Sequence, residues 1–251
     1  MDGSSNNIVA LVQARMTSTR LPGKVFKEIH NEPILIHLIR RIQQSQLINQ
    51  IVVITSTDKS DDILASFCKA NGIDVYRGSM TDLLDRHLKA AKHFKATVCL
   101  KIPSDCPLID AQIIDTVLRN FLTNNVEYCS NLHPMTLPDG MDVEVFTIEA
   151  LAKANSLATT QEEFEHTTTL MWKSREFTKY NIAFTGYEEA KLRYRFTVDY
   201  EEDFTLVKKI FEHFLPTKPY FSIDEIIQLV DSDQKYQNIN ANRLGDIWYM
   251  R

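Results

Sequence analysis

Residues 13–24, QARMTSTRLPGK, combine side chains that are suited to binding phosphate groups. Arg15 and Arg20 offer forked guanidinium donors, and Lys24 offers a compact ammonium charge. Neutral donors come from three hydroxyl side chains, those of Thr17, Ser18 and Thr19. A polyphosphate presents dense negative charge on closely spaced oxygens, so several cations in one loop match it. The segment therefore predicts a polyphosphate-binding loop, with a solvated basic surface loop as the alternative.

The apolar run at residues 8–12, IVALV, predicts a fully buried strand immediately before this loop. Open α/β sheets bind ligands beyond the carboxyl ends of their strands, so the loop stands where a ligand site is expected. Gly23 allows the backbone to approach a phosphate closely. Neither G-x-x-x-x-G-K-[ST] nor G-x-G-x-x-G occurs, which argues against P-loop kinases and dinucleotide oxidoreductases.

Two aspartates, Asp105 and Asp199, follow segments that predict buried strands. The strands are expected at residues 96–102 and 193–198, which brings both carboxylates to the sheet edge that carries residues 13–24. Magnesium on a polyphosphate needs only one or two carboxylates, because phosphate oxygens and water complete its ligand shell. We therefore expect Asp105 and Asp199 to bind Mg²⁺. Each has an alternative role as a turn or helix-cap residue.

Further polar residues are weaker candidates for the rest of a ligand site. Nucleotide contacts are predicted for three residues that flank a helix start, Arg77, Asp85 and Arg86. Contacts to an acceptor are predicted for four residues of the middle region, Asp142, Glu144, Glu165 and His166. Surface ion pairs, a turn and a solvated helix face are the alternatives. Nothing in the sequence forms a Ser/His/Asp or Cys/His hydrolase pattern, and H-E-x-x-H does not occur.

The elements that must position these residues alternate between strand and helix in the first half of the chain. Strands are expected at residues 51–54, 73–76 and 96–102, separated by apolar residues at helical spacing. This order predicts an α/β fold with a mostly parallel sheet and helices on both faces. Residues 128–180 interrupt the rhythm and predict an inserted arm that dimerises, or a simple intradomain insertion. Two helices are expected near the end, at residues 203–214 and 223–230.

The composition is that of one globular domain of 251 residues with a net charge of -5. That charge argues against a general nucleic-acid binder, so the basic loop is expected to be a local pocket. The chain contains no apolar run of membrane-spanning length, and its polar N-terminus lacks a signal-peptide core. The four cysteines form no C-x-x-C pair, which argues against structural zinc. We therefore expect a cytoplasmic protein that does not bind membranes.

Three segments in this order resemble the cytidylyltransferase family, which includes the acylneuraminate and 3-deoxy-manno-octulosonate cytidylyltransferases. They are residues 13–24, residues 104–110 (SDCPLID) and residues 197–203 (TVDYEED). Residues 139–146 (DGMDVEVF) and the pair at 165–166 are similar to further blocks of the spore-coat polysaccharide biosynthesis branch, which is the closest match. The resemblance extends from about residue 8 to about residue 240.

The resemblance implies a Rossmann-like nucleotidyltransferase fold and transfer of CMP from CTP to a sugar acid or related acceptor, with release of pyrophosphate. It also implies Mg²⁺ at Asp105 and Asp199, a homodimer, and a role in surface polysaccharide biosynthesis. Arg15, Lys24 and Asp105 would be catalytic. The nucleotide would contact the polar loop and three outlying groups, namely Gln13, Ala14, Arg15, Thr17, Ser18, Thr19, Arg20, Gly23, Lys24, Arg77, Asp85, Arg86 and Ser104.

The sequence departs from the family pattern at Pro103, where this branch usually has threonine. Proline removes a backbone donor beside the predicted metal ligand. This departure supports one alternative, a nucleotide-binding scaffold protein that has lost catalysis. A glycosyltransferase that uses a nucleotide-sugar donor is a second alternative, although residues 105–107 lack the second acid of a D-x-D motif.

Overall fold

The computed structural model describes residues 6–246, and apolar runs form its central strands as expected. In β1 five consecutive residues are buried, which is typical of a strand covered on both faces. The strands are β1 (Ile8–Gln13), β2 (Glu28–Ile29), β3 (Glu32–Pro33), β4 (Gln50–Ser56), β5 (Asp74–Gly78), β6 (Val98–Pro103), β7 (Tyr128–Ser130), β8 (Glu144–Thr147) and β9 (Lys179–Asn181).

Amphipathic segments between the strands form the helices. They are α1 (Ile34–Ile42), α2 (Asp62–Ala70), α3 (Leu83–His93), α4 (Ala111–Asn124), α5 (Ile148–Leu157), α6 (Gln161–Glu165), α7 (Thr169–Lys173), α8 (Ala190–Arg193), α9 (Glu201–Phe214), α10 (Ile223–Ser232) and α11 (Gln234–Asn238). Three short 3-10 helices span Lys24–Phe26, Lys59–Asp61 and Ala241–Arg243. The two helices expected near the end of the chain are therefore confirmed as α9 and α10. None of the helices within residues 6–246 has the length and apolar character needed to cross a membrane.

The main sheet has seven strands in the order β5-β4-β1-β6-β8-β7-β9. The first four of these run parallel to one another, whereas β8 is antiparallel to both β6 and β7. Helices cover both faces of the sheet. The evidence is that alternate residues of β1 belong to two different hydrophobic cores. Ala10 and Val12 pack with the core that includes α1, α4 and α9, and Val9 and Leu11 pack with α3 and α5. The predicted mixed, mostly parallel α/β fold is confirmed.

Residues 128–180 are built into this sheet. They supply β7 and β8 and most of β9, and α5 packs against α3 on one sheet face. The stretch thus extends the main sheet beyond β6 instead of forming a separate layer. Its role in dimerisation stays a prediction.

The prediction of a strand at residues 193–198 is wrong. Helix α8 ends at Arg193, and the residues that follow join no ladder beyond an isolated bridge between Asp139 and Arg195. Their apolar alternation has another cause, since Tyr194, Phe196 and Val198 are buried in a hydrophobic core. Arg195 and Thr197 between them are buried as well, so the alternation of apolar and polar residues here does not mark one buried and one exposed strand face.

Candidate active site

The carboxyl ends of β1 and β6 bring the predicted loop and the first aspartate together. These strands are parallel neighbours whose register ends with Gln13 beside Pro103. Ser104 N then donates to Gln13 O at 3.1 Å, so the pairing continues past the proline. The ladder between β6 and β8 ends earlier, at Lys101. Pro103 therefore lies beyond that ladder and interrupts none of its hydrogen bonds.

Backbone contacts bring the second aspartate to the same edge, although no strand precedes it. Val198 N donates to Asp105 O at 2.7 Å, and Thr197 Oγ1 donates to the same carbonyl at 3.1 Å. Phe196 N donates to Asp139 O at 2.7 Å, so the loop before β8 is tied to this segment as well. The prediction that Asp105 and Asp199 lie at one sheet edge is thus met by a different route.

Lys24 joins the two aspartates. Its Nζ atom donates to Asp105 Oδ2 at 2.7 Å, to Val198 O at 2.9 Å and to Asp199 Oδ1 at 3.0 Å. Burial alone would lower the pKa of this ammonium, but the charges of Asp105 and Asp199 raise it above the ordinary lysine value. Lys24 is therefore a buried ammonium group, held in its charged form by two carboxylates at the base of the loop.

Two arginines also bind Asp199. Arg20 Nη2 lies 2.7 Å from its Oδ1 atom, and Arg195 Nη2 lies 2.7 Å from its Oδ2 atom. Burial acts to raise the pKa of Asp199, yet Lys24 and the two arginines hold it below the ordinary value. Arg195 also pairs with Asp139 and with Asp203, whose side chain accepts from the backbone N–H groups of residues 199 and 200.

The remaining loop residues are either exposed to solvent or form the backbone contacts that close the loop. Four of these residues are exposed, namely Arg15, Thr17, Thr19 and Arg20. Ala14 is buried and Ser18 is half-buried. Gly23 has a positive φ of 69° and donates its N–H to Met16 O at 2.9 Å. The loop therefore presents guanidinium and hydroxyl groups outward from a base fixed by Lys24.

A cavity of about 160 Å³ opens beside this cluster. Its lining combines the predicted site residues with acids and bases from other elements, namely Gln13, Arg20, Lys101, Pro103, Asp105, Asp139, Asp142, Glu165, His166, Thr197, Asp199 and Asp246. Burial and the neighbouring Asp139 and Asp105 raise the pKa of Asp142 well above its ordinary value. Burial also raises the pKa of Asp139 to about 7, against the opposing charge of Arg195. The cavity wall thus carries more carboxyl groups than cations.

Asp105 and Asp199 are close enough to share one cation, because both bind the same ammonium group. Carboxylate oxygens are the donors that Mg²⁺ prefers, and two suffice where phosphate oxygens supply the rest. No group of three or more His, Cys, Asp or Glu residues within residues 6–246 is arranged to hold a metal without such help. The residues present therefore fit a metal ion that is bound together with a polyphosphate.

The three outlying nucleotide candidates are not all placed alike. Arg77 pairs with Asp62 at 2.7 Å, and Asp85 pairs with Lys89 at 2.8 Å, which is the predicted alternative of surface ion pairs. Arg86 is buried, and its Nη1 donates to Ser79 O at 3.0 Å. Its Nε and Nη2 atoms have no hydrogen-bond partner among the described residues. Spare buried donors of this kind suit a ligand.

Of the four residues predicted to contact an acceptor, three line the cavity and one does not. Glu165 and His166 line the cavity beside Asp142, as the prediction requires. Glu144 is instead buried behind the wall, where its carboxylate binds Lys101 and accepts from Tyr128 Oη at 2.7 Å. Lys101 lines the cavity wall in place of Glu144.

Sequence reasoning missed Lys101, Arg195 and Asp61. Lys101 and Arg195 were treated only as members of predicted strands, because a side chain's direction is not visible in an apolar run. Asp61 was not singled out, but Met16 N in the loop donates to its Oδ1 atom at 2.8 Å. The signal available for all three was a charged residue within or beside an otherwise buried segment.

Comparisons with known proteins agree with this geometry. A sequence profile described as cytidylyltransferase matches residues 9–240. The spore coat polysaccharide biosynthesis protein SpsF of Bacillus subtilis is 28% identical, over 90% of this chain and 95% of that protein. The 3-deoxy-manno-octulosonate cytidylyltransferase of Chlorobium chlorochromatii is 30% identical over 53% of each chain. A solved cytidylyltransferase of Leptospira borgpetersenii superposes with a TM-score of 0.86 at 32% identity, covering 93% of this chain and 98% of that one. The chain belongs to the cytidylyltransferase family.

Proposed function

We propose that the protein transfers CMP from CTP to a sugar acid or a related acceptor and releases pyrophosphate, as a step in polysaccharide biosynthesis. The observation that carries the proposal is the position of Lys24 between Asp105 and Asp199, at the base of a loop with two exposed arginines. This arrangement supplies positive charge for a triphosphate and two carboxylates for its metal ion. Membership of the cytidylyltransferase family supports CTP as the nucleotide.

In the proposed reaction an acceptor oxygen attacks the α-phosphorus of CTP in line with the leaving pyrophosphate. Arg15, Arg20 and Lys24 would hold the phosphates and stabilise the charge that develops on the leaving group. Backbone N–H groups and hydroxyls of residues 13–24 would add neutral donors. The cavity beside Asp142, Glu165 and His166 would hold the acceptor. Positioning and charge stabilisation would therefore supply most of the rate enhancement.

Asp105 and Asp199 are the residues that would hold Mg²⁺. The ion would supply charge neutralisation on the phosphate oxygens and polarisation of the reacting groups. Lys24 is bonded to the same two carboxylates, so its ammonium would add positive charge beside the phosphates. Arg195 would keep Asp199 in place from the opposite side.

The test is a pyrophosphate-release assay that crosses the four nucleoside triphosphates with a panel of acceptors. The panel contains 3-deoxy-manno-octulosonate, N-acetylneuraminate, sugar phosphates and phosphonates. We expect turnover with CTP and Mg²⁺ on at least one sugar acid. Tight CTP binding without turnover on any acceptor would instead support the scaffold alternative, and turnover with another triphosphate alone would contradict the assignment of CTP.

A lysine substitution connects the assay to the geometry. Lys24→Gln should lower the turnover rate by roughly 10²–10³-fold, as the loss of one preorganised charged donor typically does. Lys27→Gln is the matched control, because Lys27 follows three residues later and pairs with the exposed Glu201. Near-normal turnover in Lys24→Gln, or an equal loss in Lys27→Gln, would contradict the proposed role of Lys24.

A further inference from the structure

A buried carboxylate that does not line the cavity binds the middle of residues 13–24, which we call the phosphate loop. Asp61 ends the 3-10 helix Lys59–Asp61, and its side chain is completely buried. Its Oδ1 atom accepts from Met16 N at 2.8 Å. Its Oδ2 atom accepts from Ser56 N at 3.2 Å and from the Ser56 hydroxyl. Both oxygens are thus engaged within the protein, so Asp61 is not placed to contact a ligand itself.

Met16 passes this restraint to the base of the loop. Met16 O accepts from Gly23 N at 2.9 Å, which closes the loop on itself. Gly23 has a φ of 69° and directly precedes the 3-10 helix that begins at Lys24. A continuous path of two hydrogen bonds and one peptide link therefore joins Asp61 to Lys24.

The charge of Asp61 strengthens the first hydrogen bond of this path. Burial opposes ionisation, but hydrogen bonds from Met16 N and Ser56 lower the pKa of the carboxyl below its ordinary value. The buried guanidinium of Arg86 also lies close enough to favour the charged form. Hydrogen bonds to an ionised acceptor are about twice as strong as those between neutral groups. The restraint on Met16 is consequently a strong one.

We propose that Asp61 is a positioning residue for CTP binding, which acts through Met16 and Gly23 to hold Lys24 between Asp105 and Asp199. The inference rests on the function proposed above, because that function assigns the loop to CTP. It extends the site to a residue directly before α2 that does not line the cavity. A loop without this restraint would have to be ordered by the nucleotide, and affinity would fall accordingly.

Calorimetric titration of the full chain with CTP and Mg²⁺ tests the proposal. Asp61→Ala should raise the Kd for CTP about 10- to 100-fold, because a hydrogen bond to a charged group is lost. Asp61→Asn keeps an oxygen for Met16 N and should show a smaller increase. It also provides the measurement if the alanine variant does not fold. Asp58→Ala is the matched control, since Asp58 caps the same 3-10 helix through Ser60 N but does not contact the loop.

Amide hydrogen exchange of the ligand-free variants gives a readout that is independent of CTP. Exchange at Met16 and Gly23 should be faster in Asp61→Ala and unchanged in Asp58→Ala. Unchanged exchange at both amides would overturn the proposal. Faster exchange with a wild-type Kd for CTP would also overturn it, because loop order would then not matter for binding. A wild-type protein that binds no CTP would overturn the proposed function itself, which is a distinguishable result.

Discussion

Arg195 is the residue on which the buried charges of the site depend most. Its guanidinium is only 2% exposed and contacts the carboxylates of Asp139, Asp199 and Asp203. Asp203 in turn accepts from Asn240 Nδ2 at 2.9 Å. A buried carboxylate without a partner is costly, and here one cation serves three of them. Arg195 thus connects Asp199, which is a proposed metal ligand, to Asp203 in the first turn of α9.

Replacing Arg195 with methionine should destabilise the whole domain. Arg195→Met keeps a long apolar stem but leaves three carboxylates short of a partner, so the free energy of unfolding should fall by about 3–5 kcal/mol. Urea unfolding at pH 7 measures this change. Arg193→Met is the control, because Arg193 forms a half-exposed pair with Asp231 and should change stability little. Similar losses in both variants would contradict the role assigned to Arg195.

At the scale of elements, two segments that are far apart in sequence meet backbone to backbone beside the cavity. The loop before β8 contains Gly140, whose φ is 104°. A Cβ atom there would lie 2.5 Å from both Phe196 C and Thr197 N. Only glycine therefore allows the loop to approach the segment that carries Asp199. This contact substitutes for the strand pairing that the sequence led us to expect at residues 193–198.

Gly140→Ala should separate these segments and weaken both stability and CTP binding. The added methyl group meets backbone atoms that have little room to move, so the segment from Phe196 to Asp199 has to shift. We expect a lower melting temperature and a higher Kd for CTP, measured by calorimetry. Gly186→Ala is a matched control, because Gly186 has a φ of 91° and, apart from its chain neighbours, no residue within 6–246 has an atom within 4 Å of its Cβ position. If both variants lose the same stability, backbone strain alone explains the effect and the close contact does not matter.

At the scale of the whole molecule, the sequence predicted what depends on local patterns. Apolar runs and helical spacing correctly placed β1, β4, β5 and β6 and the helices α2 and α3, whereas α1 was not predicted. The loop at residues 13–24 and Asp105 followed from strand ends, and the structure brings them together. Partnerships such as Lys101 with Glu144 or Arg195 with Asp139 join distant residues, and no local pattern encodes them. Such contacts depend on the tertiary fold.

The acid stability of the whole domain should depend in part on His87, a buried histidine that does not line the cavity. Burial lowers the pKa of His87 to about 3, so the folded protein keeps this ring neutral while the unfolded chain takes up a proton below its ordinary pKa of 6.5. The free energy of unfolding should therefore fall as pH decreases from about 6.5 to about 3, by up to about 1.4 kcal/mol per pH unit from this group.

His87→Gln should make the acid loss of stability shallower, because glutamine does not titrate. Urea unfolding between pH 4 and pH 7 measures the two slopes. His133, whose pKa burial lowers to about 4, is present in both proteins and contributes equally to each. His213→Gln, at an exposed position of α9, serves as the control and should keep the wild-type slope. A wild-type slope in His87→Gln would show that His87 is not the group responsible.

The strands that extend the sheet beyond β6 also have an evolutionary consequence. Apart from Lys101, the proposed acceptor side of the cavity comes from one continuous stretch between β7 and β9, which contains Asp142, Glu165 and His166. The phosphate loop, residues 13–24, lies outside that stretch. Under the function proposed above, substitutions within this stretch would change which acceptor is used and leave the residues that bind the nucleotide unaltered. Acceptor choice and nucleotide choice would then evolve separately.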